Sequence, residues 1–350
     1  MKKKILLLGG TGAMGKYLVD ILDKSNEWDV LVSSRKVRKN YNNIKYIVGN
    51  ALDNNFVRDL CNNKYDVIVD FMNYNVEQFE NNAPFLLNSC NHYLFLSSCR
   101  VFNNSDIIDE NTDRLLDTID DPAFLETQRY ALRKARQENI LHKSNKKNWT
   151  IIRPYITYGD ERLQLGIYEK EEWLYRILNN KPLIVNSDVL ERNTTLTYGK
   201  DVSNCIYDII NNDSLYGEEI NIVSDNCIKW KDILDIYLQI IKEYTNIEPQ
   251  IYYSNQLSEI EVLFEGGYNT KYDRLWDRKF NNEKLKKYCR TQEFVRAEAG
   301  LKTCLINFLK QWNDRGNDAF GIINEEYEKQ MDLLVNSFQQ TLSKEKKNNG

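Results

Sequence analysis

Lys3-Lys4-Ile5-Leu6-Leu7-Leu8-Gly9-Gly10-Thr11-Gly12-Ala13-Met14-Gly15-Lys16-Tyr17-Leu18-Val19-Asp20-Ile21-Leu22 reads as strand, turn and helix. Residues 3 to 8 form a short apolar run, and beyond Gly15 apolar residues return at helical spacing. Glycine is needed where a backbone turns tightly, approaches a pyrophosphate and lets a helix pack on a strand. The helix N-terminus that follows offers amide donors and a positive dipole end. Taken alone, three glycines make an ordinary turn. The flanking strand and helix are the context a phosphate-binding turn requires, so Gly9, Thr11, Gly12, Ala13, Met14 and Gly15 are candidate cofactor-binding residues.

Outward from that turn the pattern repeats. A second strand, 29 to 33, runs into Ser34-Arg35-Lys36, and a third, 45 to 48, runs into Gly49-Asn50-Ala51. A fourth, 65 to 71, leads through Met72-Asn73-Tyr74-Asn75 to a helix over 76 to 90, and a fifth, 93 to 96, ends in Ser97-Ser98-Cys99-Arg100. A sixth, 149 to 152, closes on Arg153-Pro154. Strands alternating with helices predict an α/β fold, a Rossmann-type doubly wound parallel sheet whose ligands sit beyond the carboxyl ends of the strands. Where the second strand ends, an acidic residue favours a free 2′-hydroxyl on the adenosine ribose and an arginine favours a 2′-phosphate. Here the strand ends Ser33-Ser34-Arg35, with an Arg35 pointing into solvent as the alternative.

Beyond residue 165 the pattern loosens. Helices are expected over 170 to 180, from 201, over 229 to 243 and over 293 to 312, and strands near 193 to 198 and 219 to 223. The division expected is a dinucleotide-binding domain over 1–165, a smaller mixed α/β substrate lobe over 166–320 interleaved with the sheet, and a terminal helix and tail over 321–350. The helix is read over 322 to 340, and 344 to 350 reads as a disordered tail.

At 350 residues the chain can bury a substantial core. Its net charge of −4 leaves no electrostatic footprint for nucleic acid or an anionic membrane, so neither partner is expected. No run of about 18 apolar residues would span a bilayer, and the Ile5 to Leu8 run stops too early for a signal-peptide core, so a cytoplasmic protein is expected. Seven cysteines without a CxxC fit reduced thiols, and two histidines argue against a histidine-rich metal site.

A tyrosine and a lysine four apart, Tyr130 and Lys134, lie in the helix-forming run from Thr127 to Glu138. An i, i+4 pair shares one helix face, and a nearby ammonium favours a phenolate that can act as general acid or base toward a hydroxyl. An ordinary solvated helix face is the competing interpretation. Ser98, at the end of the fifth strand, is a candidate hydrogen-bonding partner in the same crevice or a plain strand-ending serine.

In this order, the pieces resemble the extended short-chain dehydrogenase/reductases, the NAD-dependent epimerase/dehydratase family acting on nucleotide sugars, from residue 3 to about 312. Gly9, Gly12 and Gly15 fit that family's GxxGxxG, Ser98 its serine before Val101-Phe102, and Tyr130 with Lys134 its YxxxK followed by Glu138. Arg153-Pro154 with Tyr158-Gly159 looks like its RPxxxYG, Leu196 to Val202 like the segment ending Asp-Val near the substrate, and Phe280 to Leu285 with Gly300-Leu301 like its substrate-lobe helices. The resemblance implies that the glycine turn holds the cofactor pyrophosphate and that Lys134 binds the nicotinamide ribose. It implies also that Ser98 bonds the reacting oxygen, that Tyr130 moves its proton, and that hydride passes between a sugar carbon and nicotinamide C4.

The cofactor-binding set is Gly9, Thr11, Gly12, Ala13, Met14, Gly15, Ser33, Arg35, Asn50, Ala51, Tyr130, Lys134 and Arg153. The substrate side is read at Arg192, Arg274 and Arg278, the last two as two arginines in a mixed-charge segment that suit a nucleoside diphosphate, with solvated surface arginines as the alternative. Three departures stand out: no acid follows the second strand, Asn50 replaces an Asp, and Met72-Asn73 replaces a small pair. The cofactor is NADP or NAD, and Ser33, Arg35 and Lys36 lean it to NADP. Cys99-Arg100 stands where dehydratases carry carboxylates, which leaves a nucleotide-sugar epimerase as the expectation. A reductase or dehydrogenase of a nucleotide sugar or other carbonyl substrate is the alternative, and a non-catalytic dinucleotide- or RNA-binding relative the third. A homodimer is an open expectation.

Overall fold

The computed structural model describes residues 2–256 and 267–348, with side chains as far as residue 341. By its internal packing the chain divides into two compact units, one of Met1–Thr157, Thr195–Asn226 and Lys279–Val295, the other of Tyr158–Thr194, Cys227–Arg278 and Arg296–Gly350.

The first unit is built on one sheet. Strands β1 (Lys3–Leu8), β2 (Trp28–Ser34), β3 (Ile44–Val48), β4 (Tyr65–Asp70), β5 (Cys90–Leu96) and β6 (Trp149–Pro154) are joined by a seventh, Glu218–Ile222. From one edge the order is Glu218–Ile222, β6, β5, β4, β1, β2, β3. Each pairing is parallel. Helices α1 (Gly15–Ser25), α2 (Asn54–Cys61), α3 (Val76–Ser89), α4 (Leu115–Thr118), α5 (Pro122–Leu125) and α6 (Tyr130–Lys143) follow or link the strands. The expected doubly wound parallel sheet is therefore the observed one.

A parallel sheet covered on both faces needs strands apolar on both faces, which is why β1 reads as an unbroken apolar run. Ile5 and Leu7 join Val30, Val32, Val67 and Val69 against Leu18 and Leu22 of α1. Leu6 and Leu8 join Ile68, Tyr93 and Phe95 against Val57 and Leu60 of α2 and Phe79 and Leu86 of α3. Winding changes direction between β1 and β4, and a crevice opens at the carboxyl ends of strands at such a switch point.

Local chemistry sets the helix ends. Asn26, at φ 54°, stops α1 in the left-handed conformation. Asn75 and Gln78 close a reciprocal capping box at the start of α3. The helix-forming run from Thr127 does not become helical until Tyr130. The Thr127 amide instead donates to the Phe124 carbonyl, finishing α5, and its hydroxyl accepts from the Arg129 amide. Tyr130 is thus the first residue of α6.

The second unit contains the parallel pair Leu183–Asn186 and Ile251–Ser254 with the helices Lys170–Leu178, Trp230–Thr245, Ala297–Arg315 and Glu325–Asn348. Trp173 stacks on Tyr237 at 4.6 Å, and any Cβ on Gly300 would strike the Tyr158 ring. The last helix is anchored by Arg176, fully buried and bonded to Glu328 and Asp332. It continues through Asn348, past the residue 340 expected, because Lys and Glu in 344 to 347 favour helix. Asn349 and Gly350 lie outside the described residues.

Charge buried in the first unit is paired. Arg153, at the end of β6, grips Glu138 of α6 through two bonds of 2.7 and 2.8 Å and also meets Glu219. Glu138, without solvent contact, accepts in addition from Ser97 at 2.5 Å and Arg114 at 3.1 Å. Burial works against the Glu219 charge, but His142 and Arg153 hold its pKa down at about 2. Removing one partner from such a cluster strands a buried charge. Arg153→Met is expected to lower unfolding free energy by about 3–5 kcal/mol, while Arg153→Met with Glu138→Leu recovers most of the loss. Urea midpoints of the two variants check this.

Candidate functional site

The glycine turn after β1 is shaped by close approach. Gly9 takes φ +72°, and a Cβ on Gly15 would lie 2.5 Å from the Gly10 carbonyl oxygen, so α1 can pack here only on bare backbone. The Gly12 amide donates to the Gly9 carbonyl and the Lys16 amide to the Gly12 carbonyl, which opens the helix at the turn. No acidic residue occupies the first turn of α1, so its positive end is left for an anion. A Cβ on Gly12 would meet only the Gly9 oxygen at 3.6 Å, and Gly12 is exposed.

Around this turn the ends of β1 to β4 enclose a cavity of about 390 Å³. Gly9, Thr11, Gly12, Ser33, Arg35, Asn50 and Ala51 line it, together with Ser34, Gly49, Leu52, Phe71, Met72 and Asn73. Seven of the sequence-predicted cofactor residues thus gather round one cavity. Ala13, Met14 and Gly15 form the turn and the start of α1 beside it, and the Met14 carbonyl accepts from the Ser203 hydroxyl.

Two lining residues have local duties. Ser33 accepts the Gly9 amide at 3.0 Å, which ties the turn to β2, and Asn50 accepts the Leu52 amide at 3.1 Å. Arg35 is exposed on the rim, beyond a turn in which Ser34 bonds to both backbone groups of Lys36. Met72 lies over the turn, its sulfur 2.8 Å from where a Gly9 Cβ would stand. A bare, electropositive turn at a topological switch point suits the pyrophosphate of a dinucleotide.

The other cluster is organised by α6. Residues 130, 133, 134 and 137 share one face at helical spacing. Lys134 donates to the carbonyls of Leu96 at 2.7 Å and Met72 at 3.2 Å, Gln137 to Tyr74 at 2.7 Å, and Arg133 to the Asn73 side chain at 2.9 Å. One face of α6 therefore clamps the turn after β4. Lys134 is buried, and burial lowers its pKa to about 8. Tyr130, half-buried, has the Arg100 and Arg133 guanidinium groups 5.5 and 5.9 Å from its ring centre. Ser98 is buried at the end of β5 and caps a short turn by accepting the Arg100 amide at 3.2 Å.

Of the other predicted residues, Arg153 directs Nε and Nη2 at Glu138 and Glu219 in the buried cluster described above. Arg192 is exposed in the second unit. In the same unit Arg274 and Arg278 are buried and share the Asp273 carboxylate, and Arg274 also donates to the Gly166 carbonyl at 2.8 Å. Sequence reading missed Asp70, a fully buried carboxyl at the end of β4 that accepts from the Tyr93 hydroxyl at 2.8 Å and the Met72 amide at 2.9 Å. Its signal was an acid directly after the apolar run Val67-Ile68-Val69.

Among the described residues no group of His, Cys, Asp and Glu is arranged to hold a metal ion, and no helix is long and apolar enough to cross a membrane. All seven cysteines are free thiols.

Comparison with known proteins follows the fold. UDP-glucuronic acid 4-epimerase from Bacillus cereus, solved in complex with NAD, superposes with a TM-score of 0.66 at 15% identity, covering 88% of this chain and 99% of that one. UDP-N-acetylglucosamine 4-epimerase from Methanobrevibacter ruminantium M1, solved in complex with UDP-N-acetylmuramic acid, gives 0.66 at 16% identity over 89% and 100%. At such identities the likeness is one of fold. A curated relative, the chloroplast stem-loop binding protein of 41 kDa b of Arabidopsis thaliana, is 26% identical over 245 residues, 65% of this chain. The match spans 60% of that protein's length. The profile of the NAD dependent epimerase/dehydratase family matches residues 5–222, well over half of the chain, with the glycine turn, the Ser98 strand end and the Tyr130–Lys134 helix all inside it. The chain belongs to the NAD dependent epimerase/dehydratase family.

Proposed function

We propose that this protein is an enzyme that uses a nicotinamide dinucleotide to epimerise a nucleotide sugar by transient hydride transfer. The observation that carries this reading is the pairing, within one unit, of the bare glycine turn at the switch point with a helix that presents Tyr130 and Lys134 beside it. Gly9, Thr11 and Gly12 would hold the pyrophosphate, and Lys134 the nicotinamide ribose. When bound, the nicotinamide supplies the hydride acceptor and donor. Tyr130 would move a proton at its hydroxyl oxygen to and from the sugar oxygen, and the Ser98 hydroxyl would bond the same oxygen.

A dehydratase reaction needs an acid and a base beside that serine. Cys99 is fully buried with its thiol donating to the Arg153 carbonyl at 2.9 Å, and Arg100 carries the wrong charge for a base. The second unit would act as the substrate lobe. Arg274 or Arg278 there would meet the phosphates of a nucleoside diphosphate.

Similarity to a stem-loop binding protein favours a second reading, RNA binding. The net charge of −4 opposes it, because affinity for nucleic acid rests on basic surface. Tyr130→Phe separates the two. It keeps the ring and deletes the hydroxyl, so folding survives while turnover of the UDP-sugar that reacts falls by about 10²- to 10⁴-fold. Parental turnover in that variant refutes the role of Tyr130, and no turnover with any UDP- or GDP-sugar by the parent, alongside salt-sensitive binding of a stem-loop RNA, moves weight to the second reading.

Two further outcomes are expected. UDP, GDP or their sugars raise the melting temperature, since a ligand that binds only the native state stabilises it, and Arg274→Met reduces the shift. No shift at millimolar concentration counts against this substrate class. The solved neighbour carries NAD, yet Arg35 on the cavity rim can take a 2′-phosphate, so NADP is expected to bind more tightly than NAD. Titrations of Arg35→Ala with both cofactors test this, and an NAD preference that the variant leaves untouched refutes it.

A further inference from the structure

We propose that Asp70 is a positioning residue for Lys134: it holds the turn whose Met72 carbonyl receives the Lys134 ammonium, and it supplies the negative charge that keeps that ammonium protonated. The geometry is a continuous chain of contacts. Asp70 accepts the Tyr93 hydroxyl and the Met72 amide, and the Met72 peptide presents its carbonyl to Lys134. The Leu96 carbonyl, at the end of β5, completes the Lys134 site.

A fully buried carboxyl is unusual unless it is bonded or paired. Asp70 is both bonded and close enough to Lys134 for the two charges to act on one another. Burial raises the Asp70 pKa to about 6, against the pull of its hydrogen bonds and of Lys134. Burial also lowers Lys134 to about 8, against the pull of Asp70, so loss of charge at either site, by protonation of Asp70 or deprotonation of Lys134, weakens the charge at the other.

The surrounding charges are few. Tyr93 on β5 and Tyr74 after β4 border Asp70, and burial with the Asp70 charge pushes both phenols well up, so they stay protonated. The Cys61 thiol of α2 is raised by burial and in part by Asp70. On α6, Arg133 opposes the Lys134 charge and Glu138 supports it. Of the charges that act on Lys134, that of Asp70 has the largest effect.

The importance of Lys134 rests on the proposed function, but the test does not. Lys134 is followed by NMR of ¹³Cε-labelled lysine in the full chain, its signal assigned by loss in Lys134→Met. The parent is expected to titrate near pH 8. Removing the Asp70 charge favours the neutral amine, so Asp70→Asn moves the midpoint down by about one pH unit or more. Tyr93→Phe deletes one hydrogen bond that favours ionised Asp70, and moves it the same way by less. If Asp70→Asn does not fold, Tyr93→Phe carries the test. A stability loss without movement of the Lys134 midpoint in the folded variants overturns the proposal. A silent Tyr130→Phe would sink the catalytic reading and leave this titration standing.

Discussion

One face of α6 holds the turn between β4 and α3, and most of what this unit offers to a ligand depends on that clamp. Arg133, Lys134 and Gln137 reach Asn73, Met72 and Tyr74 in turn. The same turn lines the cavity over the glycines, so the helix bearing Tyr130 and the cradle at the end of β1 share a wall. A shift of α6 would drag Met72 and Asn73 with it. The constraint comes from burial: a lysine withdrawn from water must give its protons to something, and the carbonyls left unpaired at strand ends are the acceptors at hand.

The elements of the sheet were legible because their signals are local. A parallel strand covered on both sides is a run of Ile, Leu and Val, and a helix beside it repeats every three to four residues. Both patterns lie in consecutive residues. The pair Leu183–Asn186 and Ile251–Ser254 was not foreseen, since two four-residue strands far apart in sequence carry too little pattern to stand out. The start of α6 at Tyr130 was also hidden, because helix propensity does not register a competing turn at Thr127.

At the candidate site the same division holds between local and distant causes. The glycine spacing dictates where the backbone must be bare, so the residues round the cavity could be named in advance. Ser33 shows the limit. Its place at the cavity was read from the strand end, but its bond to the Gly9 amide joins residues 24 apart and leaves no trace in either neighbourhood. Arg153, Arg274 and Arg278 show it more strongly, for each is buried against a carboxylate that sequence reading did not assign to it. Asp70 carried a faint mark, an acid closing the apolar run Val67-Ile68-Val69. What that charge faces is settled by α6, some 60 residues later in the chain.

Family membership narrows the chemistry less than these particular residues do. The fold is shared with proteins named as sugar epimerases and the family region with a protein named for binding a stem-loop, so the sheet cannot choose between them. The choice lies in what a fold alone would not retain. A lysine buried at the end of β5 and a carboxyl buried near it both work against stability unless they are fully satisfied. An RNA-binding surface has no use for an ammonium withdrawn from solvent, because contact with phosphates needs exposed charge. Under the proposed function such a group serves a ligand in the crevice, and the turn that receives the Lys134 ammonium lines the cavity at the glycines.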